Sequence, residues 1–105
     1  MAWIYLILAG LFEIGWPVGL KMAQEEKSRL LGISLALLCM GVSGFLLWLA
    51  QKQIPIGTSY AVWTGVGAAG TFLVGIIFYG DPSSLGRYLG ILLIVAGVAT
   101  LKLAH

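Results

Sequence analysis

Glu13 is the only acidic residue in an otherwise uncharged run from Ala2 to Leu20, and that run is long enough to cross a lipid bilayer as a helix. An ionisable group at mid-membrane depth is costly to keep in hydrocarbon. Such residues face a protein interior or a water-filled path and handle protons or cations, so the first expectation is cation transport. At helical spacing Gly10, Glu13, Trp16 or Pro17, and Leu20 share one stripe. Trp16 then offers an indole donor one turn from the carboxyl. Pro17 lacks the N–H that would bond the carbonyl of residue 13, which frees that carbonyl and tends to kink the helix. The plainer reading of Pro17 is a packing kink.

Further polar side chains lie in other apolar runs. Tyr60, Trp63, Thr64 and Gly67 form a stripe that brings a hydroxyl and an indole to one face. The alternative for Tyr60 is an interfacial anchor, whereas the deeper Trp63 N–H needs a partner. The run Gly65-Val66-Gly67 permits either close helix packing or a hinge, since glycine pairs are a recognised cause of kinks. Ser43 sits near the centre of its own run, on a stripe with Ala36, Met40, Leu47 and Ala50. A lone membrane serine usually bonds its own helix, so its weight comes from the company it keeps.

The elements that position these residues follow from composition. The chain has 105 residues, 60% hydrophobic and 10% charged, with a mean hydropathy of +1.01, against about 25% charged in an ordinary soluble domain. An integral membrane protein is expected, a single domain over residues 1–105 with spans at about 2–20, 30–50, 54–79 and 85–103. Lipid demands that backbone groups bond internally, and segments this long and continuous are helices rather than barrel strands. Polar turns separate them: Gln24 to Arg29, then Gln51 to Gln53, then Gly80 to Ser84. Pro55 suits the first turn of the third helix, and Ser83 or Ser84 is the expected cap of the fourth. The N-terminus reads as a retained first helix rather than a signal peptide.

Small residues at Gly57, Ala61, Gly65 and Ala69, and at Gly86, Gly90 and Gly97, are written for close helix approach. The fourth helix thus reads as a dimerisation element. The single Cys39 reads as packing, and the terminal His105 as solvent-exposed. Lys21, Lys27, Arg29 and Arg87 fall on one membrane side and Lys52 and Lys102 on the other, a weak orientation bias that permits either dual topology or one fixed orientation. The halves show no internal repeat, so a second half of the site is expected from another subunit. No nucleophile triad, P-loop, dinucleotide fingerprint or metal-spaced carboxylate cluster is present; neither an enzyme, a metal, a cofactor nor a nucleic-acid partner is expected.

At this point the residues resemble the small multidrug resistance family of four-helix bacterial exporters. The likeness covers the whole chain: Ala9-Gly10-Leu11-Phe12-Glu13 with Lys21, the string from Pro55 to Gly67, and Gly90 through Gly97-Val98. Trp16, the Trp63-Thr64-Gly65 order and Lys102 near the last helix end resemble the guanidinium-exporter branch. The resemblance implies an antiparallel, dual-topology homodimer in a bacterial inner membrane, exchanging protons for cations at the two Glu13 carboxylates. It places Gly10, Trp16, Ser43, Tyr60 and Trp63 in the pocket or orienting those carboxylates, Gly65 and Gly67 at a helix kink, and Gly90 and Gly97 at the dimer contact. Some members pair two different chains. Pro17, the Glu25-Glu26-Lys27 loop and Gly44-Phe45 depart from the family pattern and leave bulkier cations open as cargo.

Two carboxylates held close in low dielectric resist simultaneous ionisation, so they hold protons or a cation. Guanidinium is planar with N–H donors that match carboxylate oxygens, whereas a quaternary ammonium relies on charge and aromatic faces. Three functions stand side by side: proton-coupled export of guanidinium or small substituted guanidiniums, export of quaternary-ammonium drugs, and a structural or regulatory membrane subunit that would leave Glu13 idle.

Overall fold

A computed structural model describes residues 1–104. Helix α1 spans Ala2–Met22, α2 Arg29–Ala50, α3 Ile56–Tyr79 and α4 Leu85–Ala104, with one 3₁₀ turn at Glu26–Ser28. All four helices are long and apolar enough to cross a membrane. This is the all-α, four-span architecture expected from the hydropathy pattern. His105 lies outside the described residues.

The helix ends are set by local hydrogen bonding. The last carbonyls of a helix lack intrahelical partners, and two side chains beyond α1 reach back to supply them. The Ser28 hydroxyl donates to Met22 O at 2.7 Å and Arg29 Nε to Ala23 O at 3.2 Å. Pro55 stands one residue earlier than expected: it is the N-cap, in extended conformation at φ −53 and ψ 145, and α3 proper begins at Ile56. Its carbonyl accepts the Ser59 N–H at 2.9 Å, a role that needs no proline N–H. Of the two serines before α4, Ser84 does the capping, its Oγ accepting the Arg87 N–H at 3.3 Å.

In space the helices run in the order α2, α1, α3, α4, each packed chiefly on its neighbour. The extents of 45 × 34 × 17 Å leave a thin dimension below two helix diameters, each about 10–12 Å. The radius of gyration, 14.6 Å, exceeds the ~13 Å of a compact chain of this length. The molecule is a slab with two large apolar faces. Leu30, Leu37, Leu38, Phe45 and Trp48 on α2 and Leu89, Leu92 and Leu93 on α4 are all exposed.

The α1–α2 seam is the tightest. A Cβ on Gly19 would meet the Gly32 carbonyl oxygen at 2.6 Å, and one on Gly15 would strike Cys39 Sγ. Backbones touch there because both helices present small residues. The buried face of α2 is Gly32, Ala36, Cys39, Ser43 and Ala50, which corrects the expected stripe at one position. Met40 is 47% exposed. Three-residue and four-residue steps both keep to one helix face, and α1 selects Cys39 because Gly15 makes room for its sulfur.

The expected four-residue seam on α3 also changes. Gly57 meets open space and Ala61 is exposed, while Gly65 alone is tight, against Val98 and Ile94 of α4. Helix α4 meets α3 near Gly65 rather than along the whole stripe. No residue of α4 is buried. Further contacts are an edge-on Phe72–Tyr88 pair and the Lys102 ammonium 5.4 Å from the Trp3 ring centroid. One end of the slab is closed by a cluster of Ala2, Leu6, Ala50, Ile54 and Val62.

Candidate functional site

Glu13 falls near the centre of α1 and turns toward α3. Its seat is Gly67, where an added Cβ would meet Glu13 Cγ at 2.5 Å. One turn earlier, Gly10 is buried so tightly against α3 that its own Cβ would meet Val66 Cβ at 2.6 Å. These two glycines bring α1 and α3 together at the turn that carries Glu13. Trp16, one turn on along α1, borders the same groove as that carboxyl. Glu13, Trp16, Pro17, Thr64, Gly67, Ala68 and Thr71 line an open groove of about 250 Å³ along the α1–α3 seam. The carboxylate thus sits at protein-lined mid-depth, with one side of its groove open.

Ser43, Tyr60 and Trp63 form a second group. The fully buried Ser43 hydroxyl donates to Ala9 O at 2.6 Å and accepts from Trp63 Nε1 at 2.7 Å. The Ala9 carbonyl is also the one that receives the Glu13 N–H in a regular α-helix. The serine and tryptophan therefore clamp the backbone turn that carries Glu13, and within one chain they reach its main chain rather than its carboxylate. Tyr60 stacks obliquely on Trp63, ring centroids 5.4 Å apart, and is 58% exposed.

The other expected positions lie apart from both groups. Gly65 faces α4, and α3 is helical through both Gly65 and Gly67. Gly90 and Gly97 meet open space, Gly97 beside a groove shared with Ala61 of α3. Lys102 sits at the end of α4 over Trp3.

Two participants escape a reading of side-chain chemistry. Ala9 contributes only a carbonyl, which no sequence pattern marks. Thr71 was legible in principle, since it follows Gly67 by one turn on the stripe that already carries Thr64.

Four spans with a carboxylate seated at mid-depth define a multi-pass membrane transport protein. Comparison with known proteins carries this further. The Small Multidrug Resistance protein family matches residues 1–94. A guanidinium exporter of Yersinia pseudotuberculosis serotype I is 50% identical over 104 residues, covering 99% of each chain. Guanidinium exporters of Salmonella typhimurium strain LT2 and Proteus vulgaris are each 45% identical over 104 residues, covering 99% of this chain and 98% and 99% of theirs. The chain belongs to the small multidrug resistance family. It is a multi-pass protein of the bacterial inner membrane.

Proposed function

We propose that the protein is a proton-coupled antiporter, not an enzyme, that exports guanidinium or small substituted guanidinium cations. Proton and cation compete for a pair of Glu13 carboxylates, one from each copy in an antiparallel homodimer. The observation that carries this is Glu13 on its Gly67 seat, mid-depth, beside a groove open on one side of a one-layer slab. A slab with two apolar faces and a half-open groove beside its one membrane acid is completed by a second copy, and inverting that copy sets its carboxylate opposite the first. Pairing with a different chain of the same kind would meet the same need. The relatives named guanidinium exporters point to the cargo.

Planar N–H donors suit two carboxylates whose directions are fixed. Trp16 lines the groove beside the carboxyl, while Ser43 and Trp63 fix the turn that bears it. Tyr60 and Trp63 supply aromatic faces. Gly65 and Gly67 are where α3 would bend between inward- and outward-open states, and the open surface at Gly90 and Gly97 is where the second α4 would pack.

A second cargo class, quaternary ammonium ions, is favoured by the exposed rings of Phe45, Trp48 and Tyr60. Side-by-side currents from proteoliposomes given guanidinium or tetrapropylammonium separate the two. For the mechanism itself, Glu13→Gln should leave the dimer assembled and abolish proton-coupled flux; proton-driven guanidinium transport by that variant defeats the assignment. Because protons and cation share the site, guanidinium binding should weaken as pH falls.

A further inference from the structure

Helix α3 carries a second glycine that seats a carboxylate. A Cβ on Gly75 would strike the Asp81 carboxyl oxygen, so Asp81 lies on Gly75 as Glu13 lies on Gly67. The chain reversal explains how a residue beyond the helix gets there. Gly80 is left-handed at φ 66, and the Gly75 carbonyl accepts the Asp81 N–H at 3.0 Å. Glycine adopts that φ without strain, and the turn lays the Asp81 side chain back on the helix just ended.

Gly67 and Gly75 are two turns apart, about 12 Å along the axis at 1.5 Å per residue. Thr71 is midway. It lines the groove at Glu13 and also a cavity of about 180 Å³ at the helix ends, bordered by Pro17, Lys21, Gly75, Tyr79 and Asp81. Pro17 and Thr71 belong to both, so a single seam runs from Glu13 to Asp81. Lys21 is the base at this mouth, and its ammonium lies 5.9 Å from the Tyr79 ring centroid. That ring gives the resident cation its own partner.

We propose that the Asp81 cavity is an antechamber that captures an incoming monovalent organic cation and passes it along Thr71 to Glu13. The proposal rests on the transport reading above. A carboxylate in a cleft with low-dielectric walls concentrates cations and raises their association rate. Its seat lies about 12 Å along the axis from that of Glu13, so an ion held at Asp81 has still to travel about two helical turns. The Thr71 hydroxyl offers an acceptor to N–H donors in transit. In the inverted pair, one antechamber opens at each membrane face.

The test is initial-rate flux of guanidinium into proteoliposomes holding the full-length protein, alongside equilibrium guanidinium binding followed by tryptophan fluorescence. Asp81→Asn should slow subsaturating flux about three- to tenfold at low ionic strength. The deficit should shrink below about twofold at high salt, with equilibrium binding unchanged. Gly75→Ala, which displaces the carboxylate without removing its charge, should reproduce the slowing, and it carries the test if Asp81→Asn fails to assemble. Asp81→Glu should retain most of the rate. Parental initial rates in both Asp81→Asn and Gly75→Ala at low salt overturn the proposal, as does a loss of equilibrium binding as large as the loss of flux. Tetrapropylammonium is run in parallel because capture by charge needs no N–H donor. A parent protein that carries this ion but not guanidinium overturns the cargo assignment alone, and the Asp81 comparison is then decided on tetrapropylammonium flux by the same criteria.

Discussion

The two seams at the edges of the slab are built from the same residue types and do opposite things. Where α1 meets α2, glycines face glycine, alanine and cysteine, backbones touch, and the buried Ser43 hydroxyl is satisfied from both sides. Where α4 meets α3, Gly65 admits Val98, but Gly86, Gly90 and Gly97 have nothing within contact distance and no α4 residue is buried. In lipid there is no hydrophobic gain from moving a leucine off acyl chains onto another leucine, so association depends on close packing and polar bonds. The first seam completes both within one chain. The second leaves its small-residue surface uncovered.

Three substitutions break or sharpen that contrast. The largest effect is expected at Gly32→Leu, where backbone atoms of Gly19 and Ala23 occupy the space a side chain would need. Overpacking costs about 1–3 kcal/mol and occasionally more, a clash with backbone puts this variant at the upper end, and unfolding in detergent followed by circular dichroism should show that loss; a fully stable variant would mean that the seam is looser than drawn. Gly97→Leu should leave the chain's own fold untouched, because it meets open space, yet weaken self-association at least about tenfold, or ~1.4 kcal/mol. Dimer dissociation measured by dilution in bilayers reads this directly, and an unchanged dimer would remove α4 from the interface. A third effect, comparable in size to that at Gly97, is expected at Ser43→Ala. It leaves the Trp63 N–H without its acceptor, at a cost of about 1–3 kcal/mol, and a double-mutant cycle with Trp63→Phe should recover part of it. Additive losses would show that the serine and the tryptophan act independently.

The location of the site was legible because membrane burial makes a mid-span acid conspicuous. Glu13 needs no partner to be noticed, and its indole neighbour Trp16 lies one turn away on the same helix, where periodicity alone places it. Ser43 and Trp63 were both singled out as polar groups in apolar runs, but their joint acceptor was not: a backbone carbonyl has no residue type. The glycines illustrate the same limit. Gly65 and Gly67 are two positions apart and look alike in sequence, yet one admits a valine from α4 and the other the carboxyl-bearing side chain of α1. Met40 shares a stripe with the buried Ser43 and is itself exposed, because three- and four-residue steps are equivalent until a neighbouring helix chooses between them.

By itself the sequence determined four spans, their polar turns and the depth of the one membrane acid, since each follows from the hydropathy of consecutive residues and the fixed rise of a helix. Only the tertiary structure decided the order α2, α1, α3, α4, the glycine that seats each carboxylate, and the free surface of α4. Those depend on which faces meet, and in lipid that choice is made by fit and hydrogen bonding between helices rather than by any preference a single helix carries.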